Sequence, residues 1–139
     1  MAELDPKAFL GNWRVRRRIS DAATGWISLF RGQAEITPTS FFEEGTIRFR
    51  DQTFPAERRY LLDWQPSELV IRRPDGSFFI ALTPNPQQQV THHCGDDLYQ
   101  GRFLFSGHAW VEIWEVTGPR KNYCSISHYS RLPASGHAG

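Results

Sequence analysis

The sequence predicts an all-β chain, folded as a single antiparallel up-and-down β-barrel of about ten strands with a short helical turn ahead of it. Three observations predict it. Aromatic residues make up 14% of the chain, as ten Phe, five Trp and four Tyr, and such side chains favour strands and carry large buried areas. From Gly11 onward, alternating runs are punctuated by Gly, Pro and Asp turns, and no helical period interrupts them. The first run opens on Gly11-Asn12-Trp13 and the last closes on Tyr129-Ser130-Arg131. A guanidinium stacks well on an indole face and can still donate to backbone carbonyls.

A chain of 139 residues fits one domain with a sizeable core. Its 40% hydrophobic and 22% charged residues are those of an ordinary soluble protein. With a net charge of +1 there is no general pull toward nucleic acid or an anionic membrane, and neither is expected as a partner. Homodimerisation stays open. Two cysteines, Cys94 and Cys124, are too few for a disulfide framework and fit a reducing compartment, although a single pairing is left open. Residues 1–9 lack an apolar signal core and no run reaches the length of a membrane span, so a cytoplasmic location is expected.

The elements follow in order. Residues 1–10 form an N-terminal segment in which Asp5-Pro6 reads as an N-cap followed by proline at the first helical position. The barrel is expected over residues 11–132. In its first strand Trp13, Val15 and Ile19 share one face with the anomalous Arg17, while Arg14, Arg16 and Arg18 form a comb on the other. That comb reads as an outer face laced with carboxylates. Residues 26–37 and 41–50 alternate next, with Phe30, Gly32, Ala34 and Ile36, then Phe41, Glu43, Gly45, Ile47 and Phe49, on single faces. Ala56, Arg58, Tyr60, Leu62 and Trp64 share a face of the fourth strand. Pro74-Asp75-Gly76 signals a hairpin between residues 69–73 and 77–82, and residues 83–89 read as a loop. Strands at 90–94, 99–105, 110–116 and 123–131 complete the series, and residues 133–139 form a small-residue, flexible tail.

Three constellations could carry chemistry. Arg17, Arg58, Tyr60, Glu112, Tyr129 and Arg131 fall on faces that otherwise read as inward. An inward Arg requires a carboxylate neighbour or an anionic ligand, so Arg58 pairs either with Glu112 or Glu43, or with a ligand. The second constellation, Thr91-His92-His93-Cys94-Gly95-Asp96-Asp97-Leu98-Tyr99, could suggest metal. Alternation turns only His92 and Cys94 the same way, inward, which leaves too few ligands, and no metal is expected. The third, Gly118-Pro119-Arg120-Lys121, reads as a solvated hairpin turn that could also meet a phosphate.

The Gly-x-Trp and terminal Arg resemble those of calycin barrels, the lipocalins and fatty-acid-binding proteins, and the resemblance implies that Arg131 lies over Trp13 and closes the barrel floor. Tyr129-x-Arg131 is similar to the Arg and Tyr pairs of fatty-acid-binding proteins. Gly11-x-Trp13, the Glu43/Glu44-Gly45 step, His92-x-Cys94-x-x-Asp97-x-Tyr99-x-Gly101 and Gly118-Pro119-Arg120-Lys121 together resemble an uncharacterised family of bacteria and fungi, a domain of unknown function. That family implies a compact lipocalin-like barrel and no particular activity. In size and strand count the chain is also similar to the haem-binding nitrobindins. It lacks their glycine-rich opening strand and an assignable proximal histidine, so no cofactor is expected.

The expected function is the binding of a small amphipathic, anionic ligand in the barrel cavity. Phe30, Phe49, Tyr60 and Trp114 would line that cavity, and Arg17, Arg58, Tyr60, His92, Glu112 and Tyr129 would supply its polar contacts. Two alternatives stand beside it. Arg58, Tyr60, Glu112 and Tyr129 are similar to the cavity residues of phenolic acid decarboxylases, which would make the chain a cofactor-free enzyme of unassigned catalytic residues. A filled barrel would instead be an interaction module.

Overall fold

A computed structural model describes residues 5–133. The Asp5 side chain accepts the Lys7 amide at 3.0 Å and so caps α1 (Pro6–Phe9), with Pro6 at a position that needs no N–H. Ten strands follow: β1 (Gly11–Asp21), β2 (Ile27–Ile36), β3 (Ser40–Phe49), β4 (Gln52–Trp64), β5 (Leu69–Arg72), β6 (Phe78–Leu82), β7 (Gln87–Cys94), β8 (Asp97–Ser106), β9 (Ala109–Thr117) and β10 (Asn122–Arg131). They form one antiparallel sheet in the order β6-β5-β4-β3-β2-β1-β10-β9-β8-β7. The expected up-and-down barrel is therefore observed, with β1 and β10 joining the two ends of the meander.

The barrel is nearly closed. No ladder joins β6 to β7. The connection between these strands carries Pro84 and Pro86, which cannot donate, and β6 is only five residues long. Side chains span the gap instead. Gln88 accepts the Thr83 amide at 2.7 Å and donates to the Thr83 and Asn85 carbonyls, and Arg73 meets His92 at 3.2 Å. A second boundary moves too: β7 begins at Gln87, inside the segment read as loop, because Gln87, Gln88 and Gln89 pair with Leu104, Phe103 and Arg102 of β8. The tail expected at residues 133–139 and the first four residues of the N-terminal segment lie outside the described residues, apart from Pro133.

The barrel floor is built as expected. Trp13, 1% exposed, donates its indole N–H to the Phe9 carbonyl at 3.0 Å. Arg131, its direct cross-strand partner, lies 4.3 Å over the indole and donates to the carbonyls of Leu10 and Ala8. The helical turn is thus tied to the barrel by one indole and one guanidinium. Gly32 and Gly45 lie opposite each other on β2 and β3, with no room for a Cβ at either. A Cβ on Gly45 would lie 2.1 Å from the Arg31 carbonyl oxygen, so only glycine lets these strands approach.

Candidate functional site

The inward faces of β1, β3, β4, β9 and β10 converge on a charged cluster inside the barrel. Period-two alternation brings Arg17, Glu43, Arg58, Glu112 and Tyr129 to the interior, each from a different strand. Glu43, 1% exposed, is the hub. Its Oε1 accepts from Arg17 Nη2 at 2.9 Å and from the Tyr129 hydroxyl at 2.6 Å. Its Oε2 accepts from Arg17 Nη1 at 2.9 Å and from Arg58 Nε at 3.0 Å. The Tyr129 hydroxyl in turn accepts from both guanidinium groups, at 3.0 Å from Arg17 and 2.8 Å from Arg58. Arg17 Nε completes its fork by donating to Ser127 at 2.6 Å.

The charges decide the protonation states. Burial opposes ionisation of Glu43, but the attraction of Arg58 and the hydrogen bonds from Arg17 and Tyr129 outweigh it and hold the carboxyl below its ordinary range. Burial pushes the Tyr129 phenol well above its ordinary value, and the two carboxylates add to the push against the opposing arginines. Neither group is poised to exchange a proton near neutrality.

Glu112 forms the second half of the cluster. Its two oxygens accept the indole N–H groups of Trp110 at 3.0 Å and Trp114 at 3.2 Å, and Arg58 Nη2 stands 3.8 Å away. Of the two carboxylates left open for Arg58, Glu43 is the direct partner and Glu112 a longer-range neighbour.

Arg58 keeps one arm free. Its Nε and Nη2 are bonded, whereas Nη1 makes no hydrogen bond with the described residues, and the side chain is 30% exposed. It lines two spaces at once. Toward the floor is a cavity walled by aromatic and aliphatic side chains, among them Phe9, Tyr60, Trp64, Phe79, Phe103 and Trp114. The space left free inside is about 70 Å³, roughly half of an engineered cavity of about 150 Å³ that admits benzene. Toward the opposite end is a cleft between Arg58, Tyr60, Tyr99, Tyr123 and Ser125. Trp64 contributes a second unspent donor, since its buried indole Nε1 has no partner among the described residues.

The sequence-derived candidates divide accordingly. Arg17, Arg58, Glu112 and Tyr129 meet in one cluster, and Tyr60 and Trp114 line the cavity beside it. His92 stands further out at the seam, half-buried against Phe79, where burial and Arg73 push its pKa down. Three expectations fail. Phe30 packs under Arg17, with the guanidinium 4.9 Å over its ring, and Phe49 packs on Trp26, so neither lines the cavity. Cys94 is exposed, because it is the last residue of edge strand β7 and the barrel ends before it; both cysteines are free. The Arg14, Arg16 and Arg18 comb makes no ion pair with a described carboxylate, because its cross-strand neighbours are Gln33, Arg31 and Leu29 on one side and Ser130, His128 and Ile126 on the other.

The sequence names Glu43 only as a possible partner of Arg58 and not as a site residue, although its place on the Phe41, Gly45 and Ile47 face marks it as inward. In the Gly118–Lys121 turn, Lys121 pairs with Asp97 at 3.3 Å and donates to the Tyr99 hydroxyl at 2.9 Å. No group of three or more His, Cys, Asp or Glu suited to a metal occurs among the described residues, nor is any helix long and apolar enough to cross a membrane.

A family model described as a family of unknown function, DUF6314, matches residues 9–131. The chain belongs to that family. The match spans the barrel from the end of α1 to the last residue of β10, so the Trp13–Arg131 floor and the Glu43 cluster both lie within it. Two solved structures are similar in fold. The S-type phycobiliprotein lyase CPES from Guillardia theta aligns with a TM-score of 0.56 at 9% identity, covering 93% of this chain and 91% of that one. A protein of unknown function from the DUF3598 family of Nostoc punctiforme aligns with a TM-score of 0.63 at 10% identity, covering 95% of this chain and 51% of that one. The DUF6314 chain thus spans about half the length of the second. No curated protein matches the sequence.

Proposed function

We propose that this DUF6314 barrel binds a small amphipathic ligand, with its apolar body among the cavity aromatics and an acidic or carbonyl end at Arg58. The observation that carries the reading is the free Nη1 arm of Arg58, held at the boundary between an aromatic cavity and a tyrosine-lined cleft. A guanidinium already fixed by Glu43 and Tyr129 presents its remaining donors without further ordering, which lowers the cost of binding. The unpartnered indole N–H of Trp64 adds a second call for an acceptor at the deep end. Similarity of fold to a lyase named for phycobiliproteins is in keeping with a barrel that receives a small molecule.

The ligand must make room. Phe79 fills the middle of the barrel, stacked 5.5 Å from Tyr60 and 5.6 Å from Trp114. It sits on β6, which shares no ladder with β7, so it can shift outward without breaking a backbone pairing on that side. Proton-transfer chemistry has less support, because Glu43 is held ionised and Tyr129 neutral, and both oxygens of Glu112 are already occupied by the indole N–H groups of Trp110 and Trp114.

The test is binding of cinnamate and of its methyl ester, followed by quenching of tryptophan emission. Binding of the acid that is lost in Arg58→Leu, with the ester weaker by tenfold or more, supports an anionic head at Arg58. Equal binding of acid and ester confines the reading to a neutral acceptor. Unchanged binding in Arg58→Leu removes Arg58 from the site.

A further inference from the structure

Outside the barrel, at the end away from the Trp13 floor, the wall of β1, β2 and β3 carries cations that pair with no described carboxylate. Arg16 and Arg31 are direct cross-strand partners, as are Arg18 and Leu29, and Leu29 and Arg48. Like charges placed opposite each other on a sheet are destabilising unless something else offsets them. No described carboxylate lies within ion-pair reach of any of these arginines or of Arg50.

Apolar side chains sit among them. Leu29 is 48% exposed and Ile27 45% on the outer face of β2, and Trp26, 44% exposed, precedes them at the hairpin tip. Arg50 closes the neighbouring turn with φ 59°, a left-handed conformation that an ordinary side chain adopts only at a cost, and lies 4.5 Å over the Trp26 ring. That strained turn keeps a cation and an indole together at the barrel's rim.

We infer that this face docks on an anionic membrane surface. Arginines offer bidentate contacts to lipid phosphates, while an indole and aliphatic side chains between them suit the boundary of headgroups and acyl chains. Of the chain's 16 cations, 14 are Arg, the cation that binds phosphate through a planar fork. A nucleic-acid surface would offer several exposed stacking aromatics among its cations, whereas here Trp26 is accompanied by the aliphatic Leu29 and Ile27. The net charge of +1, which set aside a membrane partner, averages over the chain and conceals this segregation. The inference stands apart from the cavity reading, since it uses no cavity residue.

Flotation of the full chain with vesicles tests it. Vesicles of phosphatidylcholine with about one-third phosphatidylserine should carry the protein at low salt, and vesicles of phosphatidylcholine alone should not. Arg18→Glu with Arg48→Glu should lower the partition about tenfold or more, whereas reversal of the exposed Arg59 should leave it within about twofold. If the double reversal fails to fold, Arg18→Gln with Arg48→Gln should lower partition in the same direction, and Leu29→Ser should weaken it without changing charge. Three results overturn the inference: no preference for anionic vesicles, equal losses at Arg59 and at Arg18 with Arg48, or binding of a single-stranded oligonucleotide by a protein that ignores vesicles.

Discussion

The phenol of Tyr129 donates to the carboxylate of Glu43 across 2.6 Å, joining β10 to β3 through the interior of the barrel. Two guanidinium groups close on the same pair, so four side chains orient one another. A cluster of this kind tolerates the loss of its members unequally.

Glu43→Gln should be the most damaging change in the cluster. It leaves Arg17 and Arg58 facing each other without their shared anion, and breaking a buried pair in this way costs about 3–5 kcal/mol. Urea denaturation of the variant should show that loss, with little change in the slope of the transition.

Arg58→Leu should cost less than Arg17→Leu. Arg17 grips both oxygens of Glu43 and is the less exposed, whereas Arg58 uses one and keeps 30% of its side chain open. Glu43 retains Arg17 and Tyr129 in the first variant and loses its bidentate partner in the second. Melting temperatures of the two variants measured side by side check the order.

Stability should fall on the acid side from below the ordinary glutamate value of 4.5. Because the folded carboxyl is held lower than the unfolded one, the unfolded chain takes up its proton first as pH drops. The stabilisation is full above the unfolded value and disappears once pH passes below the folded one. Glu43→Gln should flatten this part of a stability profile measured by denaturant titration at several pH values.

Trp13→Ala should cost about 3–5 kcal/mol, since it empties a fully buried site and removes the seat of Arg131. Replacing Arg131 by Leu removes the carbonyl contacts to α1 and should release the helical turn. Faster amide exchange at Ala8 and Phe9, with the strands unaffected, is the expected readout.

Gly45→Ala tests the close approach of β2 and β3. An added methyl would meet backbone rather than a side chain that can turn aside, so the strands themselves must part. A loss of about 3 kcal/mol or more is expected in thermal or urea unfolding.

The strand series was legible because each strand alternates cleanly, and the floor was legible because Trp13 and Arg131 fall at the two ends of one pattern. Inward polar residues also declared themselves, since Arg17, Arg58, Glu112 and Tyr129 each interrupt an apolar face. Pairing between them was not legible. Alternation fixes which face a residue takes but not its height along the barrel, and that height, set by strand register, is what gave Arg58 to Glu43 rather than to Glu112. Register also decided the arginine comb, whose neighbours are Arg31 and Leu29 instead of carboxylates. The gap beside β7 escaped for a related reason: alternation describes single strands and says nothing of whether the outermost two will pair.

That gap has a consequence for how the chain is wired. Eight of the nine ladders join strands adjacent in sequence, and the ninth, β1 with β10, joins opposite ends of the chain. Asn12 and Leu132 are already hydrogen-bonded there, at 2.9 Å. A circular permutant with those ends linked and the chain cut between Leu82 and Gln87 would be an uninterrupted meander from β7 to β6. Every strand would then pair only with its sequence neighbour, and the one ladder of long chain separation would become a hairpin. Folding rate falls as such separations grow, so the permutant should reach the same barrel faster than the natural order does.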